Sequence, residues 1–237
     1  MNRQALAAYI YNEKARRRHN LLKGGGALPG PIEILGDTLV AWMDAQDTSD
    51  WTFNSGRVAS APSKAGSAVG LSLDQVTAAY QPTYMTAPDG KPVVRWGGLN
   101  ALVSSQAWAF AWAMFVSQYD NGERATFGYF PCLFYGDINN RIYGNANGAT
   151  VWGGGVSSLS KNGVAVGAVL PLPRSVLTFS KTVLSLAYVI GNQASGGNMS
   201  WGGDICEIVA ASAVPTSEQQ LALRQYAYAK WAIEGGV

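Results

Sequence analysis

Paired carboxyls, a histidine beside a nucleophile and clustered metal ligands are the patterns that most often do chemistry, and this chain is poor in all three. Its six glutamates, Glu13, Glu33, Glu123, Glu207, Glu218 and Glu234, include no two closer than eleven positions. Hydrolysis of a glycoside needs two carboxyls about 5–9 Å apart, so only a pair assembled from distant segments would serve. Asp204 and Glu207 share one predicted strand, and a separation of three predicts side chains on opposite faces. His19 is the single histidine and lies beside Arg16, Arg17 and Arg18, which excludes a Ser-His-Asp, Cys-His or histidine-bearing zinc site from the rest of the chain. Asp44, Asp47 and Asp50 lack the spacing of an EF-hand loop, and Asp47-Thr48-Ser49-Asp50 reads as a polar turn with Asx hydrogen bonds. The glycine clusters Gly24–Gly26 and Gly153–Gly155 fit neither a P-loop nor a dinucleotide fingerprint. No catalytic residue, metal or cofactor is therefore predicted.

Aromatic residues are the more promising material. Trp152 precedes three glycines and Trp201 precedes two, which places both at expected loop edges. An indole face there could stack on a sugar ring, with Tyr119 and Tyr143 assisting; packing in a core or rim is the competing assignment for each. Trp42, Trp96, Trp108, Trp112 and Trp231 fall in strand or helix patterns and are assigned to the core. Cys132 and Cys206 both sit in apolar runs and read as small buried hydrophobes with reduced thiols.

The elements that must position these residues are mostly strands. Hydrophobic residues make up 48% of the chain and charged residues 14%, with 28 glycines among 237 residues, a balance that suits many strands joined by tight turns. Candidate strands are Ile34–Met43, Val93–Trp96, Ala107–Gln118, Ala125–Tyr129, Leu133–Tyr135, Arg141–Tyr143, Val164–Leu170, Ser175–Phe179, Leu184–Ile190 and Ile205–Ala210. Turn chemistry separates them at Asp120–Glu123, Asn139-Asn140, Asn145–Gly148 and Ser195–Asn198, and Lys161-Asn162-Gly163 predicts a tight hairpin. Thr216 with Gln219 forms a capping box at the start of a short C-terminal helix. The fold class is all-β, two packed antiparallel sheets in one domain.

Charge divides the chain. Residues 1–23 carry Arg3, Lys14, Arg16, Arg17, Arg18 and Lys23 against Glu13 alone, a net +5, so with +2 overall the remainder is −3. That distribution argues against nucleic-acid binding along a sheet face. Helical spacing of Leu6, Tyr9 and Ile10 gives the leg a narrow apolar stripe, too little to hold a helix alone in water, so the leg needs a partner surface. Residues 24–31 form a Gly/Pro linker, leaving 32–237 for the sheet domain. The N-terminus lacks the order of a secretory signal, and no run approaches the roughly 18 apolar residues of a membrane span; synthesis and assembly in a cytoplasm are expected.

Three blocks carry a family resemblance. Gly203–Ala210, Val214–Glu218 and Gln225–Ile233 form a closing strand, turn and helix; Leu39–Ala45 forms an opening strand; Gln81–Tyr84 with Gly90–Trp96 forms a second block. In this order they resemble the concanavalin A-like lectin/glucanase, or LamG-like jelly-roll, superfamily, departing from it at Gly97, where an Asp is usual, and at Cys206, where Ala is usual. The resemblance implies an antiparallel jelly-roll sandwich. The Glu-x-Asp-x-(x)-Glu strand of the glucanase relatives is missing, so the implied role is non-enzymatic. Single modules of this kind behind a short basic leg look like virion proteins of tailed bacteriophages. On that expectation the chain is a structural or decoration component of head or tail, made in the host cytoplasm and oligomeric in the assembly. Leu6, Tyr9, Ile10, Arg16, Arg17 and Arg18 would dock it on other virion proteins. A free carbohydrate-binding module is the alternative, and a hydrolase with a dispersed carboxyl pair a third.

Overall fold

The computed structural model describes residues 28–68, 70–119, 132–137, 140–144, 150–154, 156–165, 168–169, 172–192 and 201–234. Among them a short helix α1 (Pro31–Leu35) comes first and a longer helix α2 (Ser217–Trp231) last. Between these lie β1 (Leu39–Asp44), β2 (Thr52–Asn54), β3 (Arg57–Pro62), β4 (Ser72–Asp74), β5 (Thr83–Thr86), β6 (Pro92–Trp96), β7 (Leu102–Ser104) and β8 (Trp108–Tyr119). There follow β9 (Cys132–Asp137), β10 (Asn140–Gly144), β11 (Thr150–Gly154), β12 (Val156–Lys161), β13 (Val164–Ala165), β14 (Ala168–Val169), β15 (Leu172–Leu186), β16 (Val189–Ile190) and β17 (Gly203–Ala211). Every ladder among the described residues is antiparallel, as an all-β chain of short connections requires.

Strand β17 is the hub. One edge pairs with β8 along its length; the other pairs with β1 at residues 207–211 and with β6 at residues 203–205. From β8 the ladder continues to β15, β12 and β13. From β6 it runs through β5, β3, β4, β7, β16, β9, β10 and β11 to β14. The second run lies over the first: the Phe134 ring of β9 sits 5.2 Å from Phe179 of β15 and 5.7 Å from Phe110 of β8. Tyr188 stacks on Phe134 at 4.8 Å. The core lies between these runs, and a small space of ≈ 20 Å³ there is lined by Met43, Trp51, Val94, Trp96 and Ile205 among others, room for about one water.

All nine residues of β17 are buried, because the inner face meets the core and the outer face is covered by α2. The apolar character on both faces expected of such a strand is present, and Ile205, Val209 and Trp231 are all buried. The capping box of α2 forms as expected: Gln219 N donates to Thr216 Oγ1 at 3.2 Å and Thr216 N to Gln219 Oε1 at 2.9 Å. Asn162 (φ 52°) and Gly163 (φ 84°) both adopt the left-handed conformation that a two-residue hairpin between Lys161 and Val164 demands.

The start of the domain differs from expectation. Residues 31–35 are helical and the first strand begins at Leu39, not Ile34. Pro31 opens that helix, the Glu33 carboxylate accepts from Gly30 N at 2.9 Å, and Gly36 at φ 52° ends it. The strands expected at Ser175–Phe179 and Leu184–Ile190 are largely one element, β15, irregular between Ser180 and Leu184. Ala125–Tyr129 and the turns at 120–123, 145–148 and 195–198 lie outside the described residues, as does the leg, residues 1–23. No helix among the described residues is long and apolar enough to cross a membrane.

Candidate functional site

The densest polar cluster in the described chain lies on the outer face of β1 and β17, beneath α2. Met43 and Ala45 line the inner space, so alternation turns Trp42 and Asp44 outward; register then sets Asp44 beside Glu207 and Trp42 beside Val209. Helix α2 buries Leu223, Ala227 and Trp231 against this face, at the spacing of four that marks one side of a helix. Tyr226 and Lys230, also four apart, both reach Glu207, and Lys230 reaches Asp44 as well.

Glu207 is 1% exposed and is met by four donors. Its Oε1 accepts from Trp42 Nε1 (2.7 Å), Tyr226 Oη (2.8 Å) and Lys230 Nζ (3.0 Å), and its Oε2 from Trp231 Nε1 (2.6 Å). A buried carboxylate is tolerable only when so satisfied. Lys230 Nζ also lies 2.7 Å from Asp44 Oδ2, and Lys64 Nζ 3.2 Å from the same oxygen and 2.7 Å from Asp47 Oδ2. Gln46 N donates to Asp44 Oδ1 at 2.9 Å. Burial, with the neighbouring Glu207 charge, pushes the Tyr226 hydroxyl far above the ordinary tyrosine range and keeps it a donor. Desolvation works against the Lys64 ammonium, but its carboxylate partners outweigh it and raise its pKa; Lys64 in turn holds the exposed Asp47 below the usual carboxylate range.

A second group lies on the same face. Val94 and Trp96 line the inner space, so Arg95 points outward, and Asp204 opposite it makes a two-pronged ion pair through Arg95 Nε and Nη2. Asp204 and Glu207 therefore share a face, contrary to strict alternation over three residues. The reason is the irregularity between Ile205 and Glu207, where two residues of β17 oppose one step of β8; a bulge inserts one residue and restores the parity. Each carboxylate nevertheless has its own cationic partner. Arg174 completes the group by pairing with Asp89, which it holds below the usual range, and by donating to the Trp231 carbonyl at 3.3 Å. Burial pushes the Cys206 thiol up to about 12, and both Cys132 and Cys206 are buried free thiols.

Of the residues singled out for sugar stacking, Trp201 and Tyr119 are corrected. Both are buried, at 0% and 1% exposure, with ring centroids 5.1 Å apart, and Trp201 Nε1 donates to Gln118 O at 2.9 Å. Gly203, two positions after Trp201, marks tight packing and not a loop edge: a Cβ on it would lie 2.1 Å from Gln118 O. Tyr143 and Trp152 are directly opposed in the β10–β11 ladder. Leu6, Tyr9, Ile10, Arg16, Arg17 and Arg18 lie outside the described residues. Asp44 and Asp47 hold Lys64, and among the described residues no group of three or more acidic, histidine or cysteine side chains is placed to hold a metal.

The sequence reading missed a surface aromatic group. Trp51, Phe53 and Tyr84 have centroids 5.2–6.5 Å apart, and Phe53, on β2, is 38% exposed. Their strands are short and polar, so the sequence offered no alternation to place them; the spacing Trp51-x-Phe53 was the one available sign. Two shallow surface grooves of ≈ 440 and ≈ 420 Å³ flank residues 65–68, and among the described residues lining them Asp37 is the one titratable group. No family model, curated protein or solved structure matches this chain.

Proposed function

We propose that this protein is a non-enzymatic structural component of a bacteriophage particle, a jelly-roll sandwich of the concanavalin A-like type displayed on head or tail and anchored by its N-terminal leg. What supports the reading most is the use of the closing strand's carboxylates. Glu207 is occupied by four donors and Asp204 by Arg95, so of the acidic residues nearest to a catalytic pair one fastens α2 to the sheet and the other ties β17 to β6. Pairing of the first strand with the last, β1 with β17, is the closure a jelly roll of this type needs. The division of charge, +5 on residues 1–23 against −3 on the rest, with a Gly/Pro linker between, suits a body displayed from a docked leg. Leu6, Tyr9 and Ile10 supply apolar surface for the partner, and Arg16, Arg17 and Arg18 pair with its acidic groups.

Removing residues 1–23 tests this. The truncated chain is expected to remain folded by circular dichroism and to be missing from purified particles that contain the full chain; equal incorporation of both would refute the anchoring role. The second reading, a free carbohydrate-binding module, is favoured by the Trp51, Phe53 and Tyr84 group, since the exposed Phe53 ring, backed by the half-buried Trp51 and Tyr84, suits a sugar face. Binding of the isolated full-length chain to an immobilised glycan, lost in Phe53→Ala with the fold intact, would favour that reading over the first.

A further inference from the structure

We propose that Asp44 and Lys230 condense into an intramolecular isopeptide bond, with Glu207 carrying the protons. The three groups come from different elements and meet beneath α2. Lys230 Nζ is 2.7 Å from Asp44 Oδ2 and 3.0 Å from Glu207 Oε1. An amine held in contact with a carboxyl oxygen gains the effective concentration that turns an unfavourable bimolecular condensation into a local step. The surroundings suit it. Side-chain exposure is 14% at Lys230, 5% at Asp44 and 0% at Glu207, and the Trp42, Tyr226 and Trp231 rings lie 5.2–5.7 Å from the ammonium. Replacing a buried ion pair with a neutral amide removes two desolvated charges.

The step balances without an outside reactant. A proton leaves the Lys230 ammonium, and the freed lone pair attacks Asp44 Cγ to form the C–N bond. Oδ1, already held by the Gln46 N–H at 2.9 Å, becomes the amide oxygen and takes the charge of the tetrahedral intermediate against that fixed donor. Oδ2, with Lys64 Nζ 3.2 Å away, is the leaving oxygen. Glu207 accepts a proton from the nitrogen and delivers it to Oδ2, which departs as water after gaining two protons in all. One amide proton stays on nitrogen, Glu207 ends unchanged, and nothing is oxidised or reduced. The product joins the end of β1 to the last turn of α2, so the terminal helix can no longer leave the sheet. The inference does not depend on the chain's place in a particle.

Intact mass spectrometry of the purified full-length chain, after prolonged incubation in the native state, tests the bond directly. The expected mass is lower than that of the sequence by one water, with a branched peptide joining Asp44 to Lys230 after proteolysis and no tryptic cleavage at Lys230. Lys230→Arg, which retains the charge, and Asp44→Ala should each keep their full mass, and Glu207→Gln should slow the loss of water at least tenfold with native circular dichroism retained. A wild-type chain at its full sequence mass, or a water loss that persists in Lys230→Arg, overturns the proposal.

Discussion

Replacing Trp231 separates two of the ways in which the terminal helix is fastened. The ring is fully buried and its Nε1 donates to Glu207 Oε2 at 2.6 Å. Truncating a buried tryptophan to alanine costs about 3–5 kcal/mol through lost transfer energy and the cavity left behind. Loss of a hydrogen bond to a charged acceptor costs about 1.5–3 kcal/mol. The two overlap, because the cavity left by the ring lets water approach the carboxylate, so Trp231→Ala is expected to cost about 4–6 kcal/mol. Trp231→Phe keeps most of the packed surface and removes the donor, and is expected to cost about 2 kcal/mol. Urea unfolding followed by far-ultraviolet circular dichroism reads both as shifts of the midpoint at unchanged slope. A phenylalanine variant within about 0.5 kcal/mol of wild type would refute the role of the indole donor. An alanine variant costing under about 2 kcal/mol would refute the docking of α2 itself.

Other expectations follow from the same geometry. Gly191→Ala should destabilise by about 2–4 kcal/mol in the same assay, because a Cβ there would lie 2.0 Å from the Trp96 ring and the backbone is at φ +78°. Arg174 depresses the pKa of Asp89 and Lys64 that of Asp47; a depressed folded pKa gives stability that is present above the unfolded value and lost as pH falls. Stability should therefore drop below about pH 4, and Asp89→Asn should flatten that limb in an acid titration. The Cys206 thiol is raised to about 12, so it stays protonated in the fold while the unfolded chain ionises near 8.5. Stability should fall by up to about 1.4 kcal/mol per pH unit between roughly pH 8.5 and 10, and Cys206→Ala should remove the decline. Native Cys206 should also resist a disulfide reagent at pH 8 until the chain is unfolded.

The closing block was legible because its signals are local. Thr216 with Gln219 fixes a helix start, and the apolar residues of Gly203–Ala210 on both faces imply a strand covered on both sides, so Ile205, Val209 and Trp231 could be placed from sequence. Its chemistry was less legible. The irregularity at Cys206 leaves no mark in residue type, so Asp204 and Glu207 could not be assigned to one face, and Glu207 meets Trp42 across 165 positions. Strands β2, β4, β5 and β7, three or four residues each, were missed because they are too short for an alternating pattern to stand out, and β2 is exposed throughout. Ser180-Lys181-Thr182 looked like a break; the strand continues through it, with Lys181 buried against the Phe110 and Tyr188 rings at 4.7 and 5.3 Å. The glycines near Trp201 suggested an open loop, whereas they allow backbones to approach.

The proposed place of the chain as a fixed part of a particle is tested by quantitative mass spectrometry of phage particles purified from the host that carries this coding sequence. The full-length chain, leg included, is expected at a constant copy number per particle across independent preparations. Its absence from intact particles, or an amount that falls with each round of purification, would refute that place.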